Sequence, residues 1–264
     1  MNDRIKGKNI IITGASGGIG ERMALKVAEN GGNLALIARR LPRLEELKQT
    51  IEDRFPSKVE IYPLDVSDYE EIPGVFQKIL NDFGKVHGLI NNAGFGIFKE
   101  AHEVPFAEVK GMFEVNVLGL MACTGEVLSH MREQGNGHII NIASQAGKFA
   151  TPKSSAYSAS KHAVLGYTNS LRMEAARYGV KVTAVNPGPI ATDFFSIADE
   201  SGTYVKNVEK WMLKPDFVAE KVVDALFTNR REINLPRWMN AGSVVYQLIP
   251  LFVEKVGNKL FFKK

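Results

Sequence analysis

The chain has a single cysteine, Cys123, so no intrachain disulfide can form, and its apolar, helix-patterned surroundings mark it as a buried thiol. The five histidines are scattered, with no pair at the spacing of metal ligands, and no metal site is expected. Blocks of Lys and Arg are missing before the extreme C-terminus and the net charge is only +4, which argues against nucleic-acid binding. The opening stretch, MNDRIKGKNIIITG, has no apolar core of signal-peptide length; its run Ile10–Ile12 is strand-sized. A cytoplasmic location is the resulting expectation. Internal repeats and linkers rich in Pro, Gly or Ser are also missing, so nothing divides the 264 residues into several globular units.

What is present is a rhythm. Short β-branched runs (NIIIT, NLALIA, VEIYPL, VHGLIN, HIINIA, VKVTAVN, EINLP) alternate with helical patterns at Gly18–Glu29, Leu41–Arg54, Val104–Arg132 and Ala156–Tyr178. Runs that are apolar throughout belong to strands covered on both faces, and their alternation with helices implies βαβ units. The expected fold class is α/β: a single doubly wound Rossmann-type domain with a parallel sheet of about seven strands. This domain spans residues 1–236 and includes an irregular loop at 193–214; residues 237–264 form a C-terminal helical tail.

The first strand runs straight into TGASGGIG, Thr13 to Gly20, and then into a helix. Glycines there permit a tight turn and a close backbone approach to a pyrophosphate, which rests on the free N–H groups of the helix. Gly14, Ser16, Gly18, Ile19 and Gly20 are therefore candidate nucleotide contacts. An NAD site of this kind carries an acidic residue about 20 positions on, to hold the adenosine ribose. Here that place is Ala38, followed by Arg39 and Arg40. An Arg fork suits a 2′-phosphate that an acid would repel, so NADP(H) is the expected cofactor. Ser16 adds a hydroxyl to that phosphate site, and for Arg40 or Arg43 a solvent-facing charge is the alternative.

Of the seven tyrosines only Tyr157 has a lysine four positions on, Lys161, within SSAYSASKHAV. On a helix that spacing puts both side chains on one face. With this pair, the glycine turn and the Arg pair in hand, the chain resembles the short-chain dehydrogenase/reductase family over essentially its full length. The motifs that carry the resemblance occur in the family's order: TGASGGIG, LDV (Leu64–Val66), NNAG (Asn91–Gly94), VNVLG with Asn116, NIAS ending at Ser144, YSASK and NPGPIAT (Asn186–Thr192). The resemblance implies that Asp65 and Val66 flank the adenine, that Asn91 steadies the sheet, and that Asn92, Ala93 and Gly94 lie along the cofactor. It further implies that Pro187, Gly188, Ile190 and Thr192 hold the nicotinamide. Asn116, Ser144, Tyr157 and Lys161 fall on its catalytic tetrad: Ser144 orients the substrate oxygen, Tyr157 transfers the proton, Lys161 also binds the nicotinamide ribose, and Asn116 anchors a water leading to Lys161.

Chemistry supports the Tyr–Lys assignment. Phenol is a poor acid at neutral pH, with a pKa of about 10. An ammonium at ~4 Å, with an effective dielectric of about 20, favours the phenolate by roughly 4 kcal/mol, enough to lower that pKa by up to about 3 before desolvation opposes it. The expected activity is hydride transfer between NADP(H) and a ketone, aldehyde or alcohol, in a homo-oligomer; oxidation of a hydroxy acid or a nucleotide-binding sensor without turnover are the alternatives. Phe194, Phe195, Tyr204, Trp211 and Met212 are candidates for an apolar substrate cleft. In the tail, Ala241, Val244, Val245, Leu248 and Ile249 share one helical stripe, interrupted at Pro250. A lid, a subunit interface and a peripheral membrane contact, with Lys255, Lys259, Lys263 and Lys264 among the aromatics, are the three readings of that stripe.

Overall fold

The structure is a computed structural model that describes residues 3–199 and 202–261. Seven strands form one parallel sheet in the order β3-β2-β1-β4-β5-β6-β7. They are β1 (Asn9–Thr13), β2 (Asn33–Ala38), β3 (Val59–Pro63), β4 (Gly88–Asn91), β5 (Gly137–Ile142), β6 (Val180–Pro187) and β7 (Glu232–Leu235). β1 is paired on both sides, Ile11 standing opposite Ala35 of β2 and Leu89 of β4. The chain winds outward one way from β1 to β3 and the other way from β4 to β7. The crevice at that reversal, beyond the strand C-termini, is where such sheets bind ligands.

Period-two alternation divides each strand's side chains between two cores. Ile10, Ile12, Leu34 and Leu36 pack with Met23 and Val27 of α1 (Gly18–Glu29), Leu44 and Ile51 of α2 (Leu41–Glu52), and Val218 and Val222 of α9 (Pro215–Ala225). Ile11, Ala35, Ile37 and Leu89 pack on the other face with Phe76 and Ile79 of α3 (Ile72–Phe83) and with Val127 and Met131 of α5 (Leu120–Gln134). Leu171 of α6 (Ser155–Ala176) closes that second core. Cys123 is fully buried there, as its setting implied, and burial pushes its thiol up to about 12.

Two stretches differ from the sequence pattern. The single helix expected over Val104–Arg132 is α4 (Phe106–Phe113), a π-helical segment Glu114–Gly119, and α5. Widened turns of this type concentrate at functional positions, and this one contains Asn116. The tail is two helices, α10 (Arg237–Leu248) and α11 (Pro250–Phe261). Pro250 interrupts the stripe as expected but also begins α11, because a first helical position has no N–H partner to lose. The 193–214 loop contains two short helices, α7 (Phe194–Ala198) and α8 (Thr203–Val208).

Candidate active site

β1 ends at Thr13 and turns into α1 under close restraint. Gly14 has φ +66°, and a Cβ there would lie 2.8 Å from the Ala93 Cα, so the turn presses on the segment leaving β4. Thr13 Oγ1 accepts from the amides of Asn92 (3.0 Å) and Ala93 (3.1 Å), while Asn92 Nδ2 donates to the carbonyls of Thr13 (3.0 Å) and Gly14 (3.1 Å). No side chain caps the start of α1. A helix N-terminus in that condition favours an anion through its unpaired amides and its dipole.

The two arginines behave differently. Arg40 folds over the turn, its guanidinium donating to the Ser16 carbonyl (2.8 Å) and hydroxyl (3.2 Å). Arg39 reaches the Asp65 carboxylate at 3.3 Å. Burial pushes the Asp65 carboxyl up, but the Ser67 hydroxyl and amide, with Arg39, outweigh it and hold the group below its ordinary value. Arg43 pairs with Glu46 at 2.9 Å and takes no part. The sequence offered Arg40 as a phosphate ligand with solvent exposure as the alternative for it or for Arg43; the structure separates the two.

A cleft of about 910 Å³ begins at this turn and runs along the strand ends. Of the residues singled out from the sequence for cofactor binding or catalysis, all but two line it. The exceptions are Gly20 and Asn116. Gly20 lies beneath the turn, where a Cβ would meet the Gly14 carbonyl oxygen, so it serves packing. Asn116 is 1% exposed behind the wall. Its Oδ1 accepts from the Phe95 amide (2.9 Å), and its Nδ2 donates to the Phe95 carbonyl (2.9 Å) and the Ser160 hydroxyl (3.1 Å). Both amide hydrogens are therefore engaged, and the side chain fixes the loop after β4 against α6. Asn91 steadies the sheet, donating to Thr124 Oγ1 and Asn141 Oδ1, each at 2.9 Å.

Ser144 follows β5. Its hydroxyl accepts from the Ala146 amide (3.0 Å) and donates to the Pro187 carbonyl (3.4 Å), which ties the ends of β5 and β6 together. Tyr157 and Lys161 project from the first turns of α6 into the same stretch of cleft. Lys161 Nζ donates to the Ile142 carbonyl at 2.9 Å. Gly94 is the floor: a Cβ there would lie 3.5 Å from that Nζ and 2.9 Å from Asn116 Oδ1.

The electrostatic balance differs from the expected one. The ammonium lies 5.8 Å from the Tyr157 ring centroid and faces the strand carbonyl. Burial dominates both groups: it pushes the Tyr157 phenol up to about 12, against a lowering by the Ser144 hydroxyl, and pushes Lys161 down to about 8. Burial therefore outweighs the ammonium in this arrangement, because that charge is also engaged by the Ile142 carbonyl. At neutral pH the site offers a protonated phenol beside a mostly protonated amine.

Aromatic rings form the remaining wall. Phe98 stands edge-on to Tyr157 at 5.7 Å and to Tyr204 at 4.9 Å; Phe194 lies 5.8 Å from Tyr157 and 5.3 Å from Phe195. Phe194, Phe195, Tyr204 and Trp211 line the cleft as expected, and Met212 does not. Phe95, Phe98, Phe149, Trp238 and Met239 also line it and were not anticipated. The run FGIF directly after NNAG was a usable signal for the first two. Behind Ser144, Lys148 binds the Glu232 carboxylate of β7 (2.6 Å) and Asn240 of α10 (2.9 Å), which anchors the tail beside the cleft.

The short chain dehydrogenase family model matches residues 8–201. This chain is a short-chain dehydrogenase/reductase. Among its relatives is the NADP-dependent 3-hydroxy acid dehydrogenase of Schizosaccharomyces pombe, 34% identical over 87% of this chain and 90% of that protein. Among solved structures, the alcohol dehydrogenase of the archaeon Thermococcus sibiricus complexed with 5-hydroxy-NADP superposes with a TM-score of 0.79, at 31% identity over 87% of this chain and 96% of that one. A family member from Burkholderia phymatum in complex with NAD gives 0.87, at 25% identity over 94% and 96%. The chain is thus an oxidoreductase of a family whose members are found with either NAD or NADP nucleotides. Its crevice suits such a dinucleotide: a glycine-rich turn, an uncapped helix start and a long cleft lie in one line.

Proposed function

We propose that this reductase interconverts an apolar ketone or aldehyde and the corresponding alcohol using NADP(H), with Tyr157 as the general acid and base. The observation that carries the reading is the convergence of Ser144, Tyr157 and Lys161 at one point of the cleft, beneath an aromatic wall. Ser16, Arg39 and Arg40 would receive the 2′-phosphate, two guanidinium groups and a hydroxyl meeting where an acid would serve NAD. Asp65 and Val66 would border the adenine, and Pro187, Gly188, Ile190 and Thr192 the nicotinamide, whose chemistry is to give or take a hydride.

The protein supplies the proton and the orientation. Ser144 holds the substrate oxygen by a hydrogen bond. Tyr157, protonated because burial raises its pKa, donates to that oxygen as negative charge develops on it. Lys161, with Nζ near Gly94, lies close enough to stabilise the resulting phenolate and the ribose hydroxyls. The apolar walls exclude water and so strengthen each of these interactions.

Chemistry at the substrate end favours an uncharged molecule. Among the described residues, the cationic side chains lining the cleft are Arg39 and Arg40 at the adenine end and Lys161. The S. pombe relative's name points to a hydroxy acid, but the aromatic wall offers no further cation for a carboxylate. The test is Tyr157→Phe. Its NADPH dissociation constant should match the wild type's, while turnover of a carbonyl substrate falls by roughly 10²–10⁴. Undiminished turnover would remove Tyr157 from the chemistry.

A further inference from the structure

α10 is inside out. Its apolar stripe, Ala241, Val244, Val245 and Leu248, faces away from the protein, and the one buried residue of the helix is Ser243. Ten of the fifteen exposed large apolar side chains among the described residues come after residue 196, and seven of them fall between Trp238 and Phe252. Leu248 is 76% exposed, Leu251 81% and Phe252 63%. A patch of this density marks a surface that meets something else.

Charge identifies the occupant. The segment after Pro236 has five basic residues and one acidic, a net of +4, which equals the net charge of the whole chain. The rest of the protein is neutral and the tail is cationic. Exposed Lys210 and Arg237 adjoin Trp211 and Trp238 in the chain, exposed Lys255 is on α11, and none of the three forms an ion pair among the described residues. A second copy docked face to face would bring two such cationic tails together, whereas an anionic lipid surface complements both the charge and the apolar stripe. Trp211 and Trp238, edge to face at 5.6 Å, stand half-exposed at the rim, an aromatic pair of the kind that settles at a headgroup boundary. Both tryptophans also line the cleft, so its mouth opens within the patch. α10 and α11, at 12 residues each, are too short to cross a hydrocarbon core of ~30 Å.

We propose that the outward face of α10–α11 lies on an anionic bilayer surface, with the cleft mouth turned toward the lipid. Co-sedimentation of the full-length protein with phosphatidylcholine vesicles, with and without phosphatidylserine, tests this at low and high salt. The wild type should pellet with the phosphatidylserine vesicles at low salt, and much less with phosphatidylcholine alone or at high salt. The triple variant Leu248→Glu, Leu251→Glu, Phe252→Glu should lose at least about tenfold in bound fraction while keeping the wild-type melting temperature, since all three side chains are exposed. Wild type left in the supernatant at low salt with both vesicle types would overturn the proposal. So would a wild-type dimer in sedimentation velocity that the variant dissociates, because the face would then belong to a second copy. Loss of phosphatidylserine dependence in the wild type would remove the charge argument, independently of how the variant folds.

Discussion

α1 and α10 are both 12-residue amphipathic helices, and the fold uses them in opposite ways. α1 turns Met23, Ala24 and Val27 onto the sheet; α10 turns Val244, Val245 and Leu248 outward. Periodicity shows that an apolar stripe exists. It does not show which way the stripe faces, because orientation is decided by what the neighbouring chain provides. α1 leaves β1 through a turn pressed on β4, which forces its stripe inward. α10 follows β7 at the sheet edge and is attached through its opposite side, by Asn240 to Lys148 and by the Tyr246 ring beside Phe149.

Paired truncations test this contrast most strongly. Leu36, fully buried in the first core, should cost ~2–5 kcal/mol on Leu36→Ala, measured by urea unfolding. Next in size is the cofactor end of the same half: Arg40→Ala removes the guanidinium held on Ser16 and should weaken NADPH binding about 10–100-fold, with NADH binding unchanged. An equal loss for both nucleotides would assign Arg40 to the turn and not to the phosphate. Third is pH. Lys161, pushed down to about 8, loses its proton as pH rises through that value, so kcat/KM for reduction should fall about tenfold between pH 7 and 9. The sign for stability is the reverse. Between about 8 and the ordinary value of 10.5 the unfolded chain binds the extra proton, so wild type gains stability relative to Lys161→Met as pH rises. Smallest is Leu248→Ala, which should change stability by no more than about 0.5 kcal/mol. If it costs as much as Leu36→Ala, the outward stripe is covered in solution.

Much of the first half was legible before the structure. Strands buried on both faces leave continuous apolar runs, and turns that need glycine leave glycine, so β1, β2, the phosphate turn and α1 could be read almost to the residue. Arg39 and Arg40 were visible as a pair but not as two different contacts, because one bonds a loop 24 positions away and the other a strand end 26 away. Asn116 was visible through the run VNVLG; the widened turn that accommodates it was not, since backbone hydrogen-bond spacing leaves no composition signal. Phe98, Phe149 and Trp238 reach the cleft from three separate segments, and nothing in any one of them announces the others. The balance at Tyr157 was misjudged for a physical reason: helical spacing fixes where two Cα atoms sit, while the Ile142 carbonyl decides where the ammonium goes.

The contact of Lys148 with Glu232 and Asn240 gives the tail two jobs that a deletion cannot separate. Shortening the chain after Pro236 would strip away the outward stripe and, in the same cut, take Asn240 from a lysine four residues from Ser144, leaving it Glu232 alone. A shortened enzyme that turned over slowly would then say nothing about lipid. Only point changes on the far side of α10 leave that anchor in place while altering the surface it holds up.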